Sequence, residues 1–219
     1  MSSEFATGFE FLMRWGHYLA GVAWIGLLYY FNFVQGEYFK EATPDAKSDA
    51  VKKLAPRALW WFRYAALLTF ITGVLILGIQ GHMRQGVGNW SFWIVIGALL
   101  GTLMFLNVWL IIWPNQKVVC GIVPGDAAAA GPKALLASRT NVLFSGPMLF
   151  LMGAASHLPG KTISMASPTA IAVVVALIAL IELNAIKGKL WPPMVTIKGV
   201  IHCSLALAAV LWAVMHYLG

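Results

Sequence analysis

The chain has 219 residues, of which 60% are apolar and only 11% charged, and its mean hydropathy is +0.77. That balance excludes an ordinary soluble domain and points to an all-α integral membrane bundle. The formal charge of +7 requires no nucleic-acid partner, because the basic residues gather between apolar stretches, where anionic lipid is the expected counterion.

Six apolar stretches are long enough to cross a hydrocarbon core of about 30 Å. They are 11–34, 60–81, 91–113, 140–157, 168–186 and 198–218, within a single transmembrane domain over 1–219. The fourth is the shortest. Glu4 and Glu10 precede the first stretch in place of a basic region, and no small-residue cleavage site follows it. It reads as a retained helix, not a signal peptide. Ala42–Lys53 reads as a short amphipathic or irregular linker, and Gly121–Gly131 as an alanine-rich loop.

Orientation follows from Lys and Arg. Eleven of the fifteen lie in the segments 36–59, 115–139 and 187–198, against Arg14, Arg84 and Lys161 on the opposite side. The positive-inside rule then places the odd connections in the cytoplasm and both termini outside, in the periplasm for a bacterial inner membrane. Trp60, Trp61, Trp90, Trp113 and Trp191 fall near predicted helix ends, as interfacial anchors do. Cys120 and Cys203 fall at the reducing side, so no disulfide is expected, and no Cys-x-x-Cys-His attaches haem covalently.

Four of the five histidines, His17, His82, His157 and His216, fall at the outer end of four different predicted helices. This suggests a redox site on one membrane face. His17 shares a stripe with Gly21, Trp24, Leu28 and Asn32 at steps of three or four, so the stripe should face protein. His157 sits above Gly146, Phe150 and Gly153 in the same register, where the glycines leave room for a flat macrocycle or a close helix. His17 lies inside its helix, whereas the other three are near boundaries, where a histidine can simply occupy the headgroup layer. His202 is the one histidine on the inner side. It shares a face with His216 but has no histidine partner for a second haem, so one outer haem is the economical reading.

Other polar residues have plainer readings. Gly97-x-x-x-Gly101 is assigned to helix packing, with Asn107 buried further along. Glu182 is expected to pair with Lys187 or Lys189. Arg63 and Arg14 can snorkel or meet an anionic group, and only Arg14 belongs with the histidines by side.

Three runs carry a resemblance. They are Gly16-His17-Tyr18-Leu19-Ala20-Gly21-Val22-Ala23-Trp24-Ile25-Gly26 with Asn32 beyond, Asn107-Val108-Trp109-Leu110-Ile111-Ile112-Trp113-Pro114-Asn115-Gln116-Lys117, and Ser138-Arg139-Thr140-Asn141 leading through Pro147-Met148-Leu149-Phe150 to His157-Leu158-Pro159. Together they resemble the membrane domain of the bacterial cytochrome c-linked urate oxidases, also called urate hydroxylases. The His17 to Gly26 pattern is also similar, more loosely, to haem-binding membrane proteins of the HemJ protoporphyrinogen oxidase and copper-resistance kinds.

The resemblance implies an oxidoreductase with a non-covalent haem b. It carries over His17 and His157 as haem or active-site positions, taken as the axial ligands, while His82, His216 and Arg14 are further candidates by position alone. Electrons would pass from a reduced donor, urate if the likeness extends so far, to a c-type cytochrome. In that family a cytochrome domain follows the membrane domain. The sequence stops at Gly219, so turnover is expected to need a separate cytochrome or another subunit. Asn107, Trp113 and Asn115 carry over as motif residues without an assigned role. The alternative is a non-catalytic subunit whose small-residue faces dock it into a larger homo- or hetero-oligomeric membrane complex. A transporter is less favoured, because no inverted halves or paired broken helices are visible.

Overall fold

A computed structural model describes residues 3–81 and 86–219, and within them six helices are long and apolar enough to cross a membrane. They are α1 (Glu4–Glu41), α2 (Pro44–Ile79), α3 (Phe92–Val119), α4 (Ala127–His157), α5 (Pro168–Lys187) and α6 (Ile197–Tyr217). No strand occurs among the described residues beyond the isolated Ser91–Thr162 bridge.

The fourth helix departs most from its sequence expectation. It runs for 31 residues, not from 140 to 157. The polar run Ser138–Asn141 looked like a boundary, but Arg139, Thr140 and Asn141 are buried, so the chain continues helical through them into the bundle. The alanine-rich segment likewise folds as helix from Ala127, where the Asp126 carboxylate accepts the Ala128 and Ala129 amides at 2.9 and 3.2 Å. Two-thirds of the α4 apolar window is buried, at 67%, against 22–33% for the other helices. It is the central post of the bundle.

Small residues bring the other helices onto that post. On α3, a Cβ at Gly97 would stand 3.1 Å from Met152 Cγ and one at Gly101 3.4 Å from Met148 Sδ. The glycine pair packs helices, as its spacing suggested. On α4 itself, Gly146 faces α6. Its amide donates to Ser204 Oγ at 3.2 Å, and any Cβ there would collide with that hydroxyl.

The linker expected over 42–53 is mostly helical. After a break at Ala42 and Thr43, Pro44 starts a helix capped by the Thr43 hydroxyl, which accepts the Ala46 amide at 3.4 Å. The α3 helix also overruns its predicted end by passing through a π-helical stretch, Asn107–Ile112, directly ahead of Pro114. A proline cannot donate to the preceding turn, and the wider turn accommodates that loss. A second π-helical stretch, Tyr30–Gln35, lies in α1.

The helix ends sort the chain into two poles. One gathers Glu10, Gln80, the Ser91–Thr162 bridge, Lys161 and Gly219, with the Lys161 ammonium donating to the Gly219 carbonyl. This histidine end carries His157 and His216. The opposite, basic end carries the lysines and arginines of 36–59, 115–139 and 187–198. Cys120 and Cys203 are both free thiols.

Candidate functional site

The longest helix contact joins α1 and α2, and the His17 stripe forms part of it. Ala20, Trp24 and Leu28 are buried along that stripe. Gly16 and Gly21 lie over Thr72 and Thr69, with Cβ positions 3.8 and 4.0 Å from their methyl groups. The His17 ring lies against Gly73, where a Cβ would stand 3.1 Å from Cε1. Glycine is what admits the imidazole between the helices.

The hydrogen bonds of that ring fix its tautomer. His17 Nδ1 is 3.1 Å from Thr72 Oγ1. The Thr72 hydroxyl has one proton, and it is directed to its own helix, to the Leu68 carbonyl at 2.7 Å and the Thr69 carbonyl at 3.0 Å. The hydroxyl can therefore only accept from the ring, so Nδ1–H donates and Nε2 keeps its lone pair. The Thr69 backbone also accepts a hydrogen bond from the ring, so α2 holds the imidazole at two successive places. An imidazole anchored through Nδ1 has the chemistry of a metal ligand held by its supporting bond.

His157 repeats this pattern in a more open setting. It is exposed at the end of α4, and its Nδ1–H donates to the Gly153 carbonyl at 2.9 Å. Beside it runs an open groove of about 320 Å³ lined by Leu149, Phe150, Gly153, Ala154 and Leu158. A Cβ at Gly153 would meet nothing within 4 Å. Of the two glycines below His157, Gly146 serves a close helix and Gly153 leaves open space.

The remaining sequence candidates separate. No hydrogen bond or ring contact joins His17 to His157 among the described residues. His216 is exposed and stacks on Trp212 with ring centroids 5.1 Å apart, with Tyr217 edge-on at 4.8 Å. That is an aromatic cluster suited to the interface. His202 is exposed on α6. His82 and Arg84 lie outside the described residues. The guanidinium of Arg14, 39% exposed, is committed to Glu10, with Nη2 and Nε donating at 2.6 and 3.0 Å. Gln80 Nε2 donates to the same carboxylate oxygen at 3.4 Å, which ties α2 to this pair.

A second polar group lies inside the bundle and was only partly legible. Asn107 Nδ2 donates to Asn141 Oδ1 at 3.0 Å and to Glu182 Oε2 at 3.1 Å, and Asn141 Nδ2 donates to the Met104 carbonyl at 2.9 Å. All three side chains are buried. This corrects the expectation for Glu182, which forms no ion pair with Lys187 or Lys189 and turns inward to α3. The signal was available in the spacing, since Val174, Ile178, Ile181 and Ala185 are buried around it at helical steps. Arg63, for its part, places its guanidinium 3.7 Å over the Trp113 ring, a cation–π contact at the basic end.

The sequence profile of the family described as urate oxidase N-terminal matches residues 81–214, more than half of the chain. The chain belongs to the urate oxidase N-terminal family. Membership covers the α3–α4–α5 polar group, His157 and the groove beside it, while His17, Arg14 and His216 lie outside the matched segment. No curated protein and no solved structure matches the chain.

Proposed function

We propose that this urate-oxidase-like membrane protein is a haem b redox protein that passes electrons from a reduced donor, urate being the one the family name suggests, to a c-type cytochrome at the periplasmic face of a bacterial inner membrane. The observation that carries this reading is His17. Its Nδ1 is anchored on Thr72 and its ring rests on Gly73, inside the α1–α2 contact. Those features fit an axial ligand. His157 fits as the second, with Nδ1 fixed on Gly153 and an apolar groove alongside.

When bound, the haem would supply reversible one-electron transfer. The chain's own residues would hold and tune it. Thr72 would keep His17 in the Nδ1–H tautomer, the apolar faces of α1, α2 and α4 would exclude water, and the Glu10–Arg14 pair would set the local charge above the site. Arg14 is already neutralised by Glu10.

The test is a reduced-minus-oxidised spectrum of the purified protein with a pyridine haemochrome assay. About one haem b per chain, lost in His17→Ala, is the expected result. Full haem content in His17→Ala would sink the ligand assignment. A colourless native preparation that co-purifies at fixed stoichiometry with other subunits would establish the second reading, an accessory subunit.

A further inference from the structure

On α2, Arg57 stands apart from several other cations of the basic end. Lys40 is paired with Glu37, Lys53 with Asp49, and Arg63 lies over the Trp113 ring. Arg57 is exposed and has no carboxylate, carbonyl or ring partner among the described residues. With Pro56, Trp60 and Trp61 it lines an open groove of about 390 Å³. A π-helical turn, Ala50–Leu54, precedes Pro56, so the groove lies on the first regular turn beyond it.

The aromatic wall of this groove is held in place. The Trp60 ring packs on Tyr64 with centroids 4.7 Å apart, and Tyr64 meets Trp109 of α3 edge-on at 5.8 Å. Trp61 stands at 83° to Trp60 with centroids 5.1 Å apart. The indole beside Arg57 is therefore braced by its own helix and by a second one, which lowers the entropy lost when a ligand orders it.

Below the groove the same face continues as an apolar track. Arg57, Trp61, Tyr64, Leu68, Ile71 and Leu75 recur at steps of four and three, and all are exposed. Trp61 to Leu75 spans roughly 21 Å at 1.5 Å per residue, more than the half-thickness of a hydrocarbon core of about 30 Å. Arg57 lies just outside the apolar run 60–81, at headgroup depth. A cation at the headgroup, indoles at the interface and a bulky apolar track beneath them match the parts of a phospholipid in order.

We infer that this groove docks one anionic phospholipid, with its phosphodiester on the Arg57 guanidinium and one acyl chain along Trp61, Leu68, Ile71 and Leu75. The planar guanidinium suits two-point contact with phosphate. Zwitterionic lipid carries a cation of its own that competes for the same oxygens. A second helix fits the face less well, because the track offers no Gly, Ala or Ser for close backbone approach. In a parallel symmetric pair Arg57 would also face its own copy. The site is independent of the redox reading.

The test is native mass spectrometry of the full chain released from detergent micelles, titrated with phosphatidylglycerol and, in parallel, with phosphatidylcholine of the same acyl chains. Wild type should retain one phosphatidylglycerol about fivefold more tightly than phosphatidylcholine, the effect of one cation on an anionic headgroup. Arg57→Gln should abolish that preference, and Trp61→Leu should weaken retention of both lipids several-fold. Lys53→Gln, at an ammonium already paired with Asp49, should leave the preference intact. All three positions are exposed, and unchanged unfolding temperatures confirm that the variants fold. Equal retention of the two lipids by wild type, or a preference that survives Arg57→Gln, overturns the inference. Equal loss in Lys53→Gln and Arg57→Gln replaces the site with diffuse surface charge, and a dimer that dissociates in Trp61→Leu gives the face to a second copy; either overturns it.

Discussion

Asn107 on α3 donates to the buried carboxyl of Glu182 on α5 at 3.1 Å, with the same nitrogen 3.0 Å from Asn141 on α4. One amide therefore ties three helices at the centre of the bundle. Polar groups of this kind hold register where lipid gives no hydrophobic preference between helices.

The energetic asymmetry of that bond gives the first prediction. Asn107→Leu strands the Glu182 carboxyl in an apolar setting and should destabilise by about 1–3 kcal/mol, the cost of an unsatisfied buried polar group. Glu182→Gln keeps an acceptor for Asn107 and removes a charge, so it should be neutral or slightly stabilising. Thermal unfolding in detergent of the two single variants and the double variant reads this as a coupling between the positions. If Asn107→Leu is neutral, the three-helix tie is wrong.

The second prediction concerns Thr72. Removing its hydroxyl in Thr72→Val takes away the side-chain partner of His17 Nδ1 and loosens the orientation of the ring. Loss of such a supporting bond typically costs about 10–100-fold in metal affinity. Haem should therefore titrate into Thr72→Val more weakly by that factor, and Thr72→Ser should restore it, since serine keeps the oxygen that accepts. Equal affinity in all three would remove Thr72 from the site.

How far the sequence could lead depends on what each residue faces. Membrane-spanning runs were legible because apolar side chains face lipid on most helices, so length and hydropathy alone located α5 and α6 to within about a residue. The same logic misread α4, whose Arg139, Thr140 and Asn141 face protein and so interrupt the apolar run without interrupting the helix. His17 stood out because a histidine inside a span is rare, yet its partners Thr72 and Gly73 come from another helix, and no periodicity in α1 could name them. Glu182 was assigned to nearby lysines because sequence distance favours local pairs. Its actual partner is 75 positions away, on a face set by the packing of α5.

A third prediction separates the two glycines below His157. Gly146→Ala pushes a methyl into Ser204 of α6 and should cost about 1–3 kcal/mol, as overpacking does. Gly153→Ala meets open space and should leave stability unchanged, or raise it slightly through helix propensity. A bulkier Gly153→Leu would fill the groove beside His157. If that groove holds a cofactor edge, haem content should fall in Gly153→Leu while the unfolding temperature stays near that of wild type. A parallel fall in both would mean that the groove is only a packing defect.

The last prediction tests orientation through Cys120, which follows α3 at the basic end and is buried. Burial pushes its thiol pKa up from the ordinary value. Only the thiolate attacks a maleimide, so labelling should be slow at neutral pH and accelerate as pH rises through the alkaline range. In a Cys203→Ser background, an impermeant maleimide should leave intact spheroplasts unlabelled and modify inverted membrane vesicles with that pH dependence. The positive-inside assignment requires this sidedness, because Lys117 and Lys133 flank the thiol. Labelling of intact spheroplasts in place of inverted vesicles would turn the protein over in the membrane. It would also move the histidine end, and any redox exchange at it, to the cytoplasmic side.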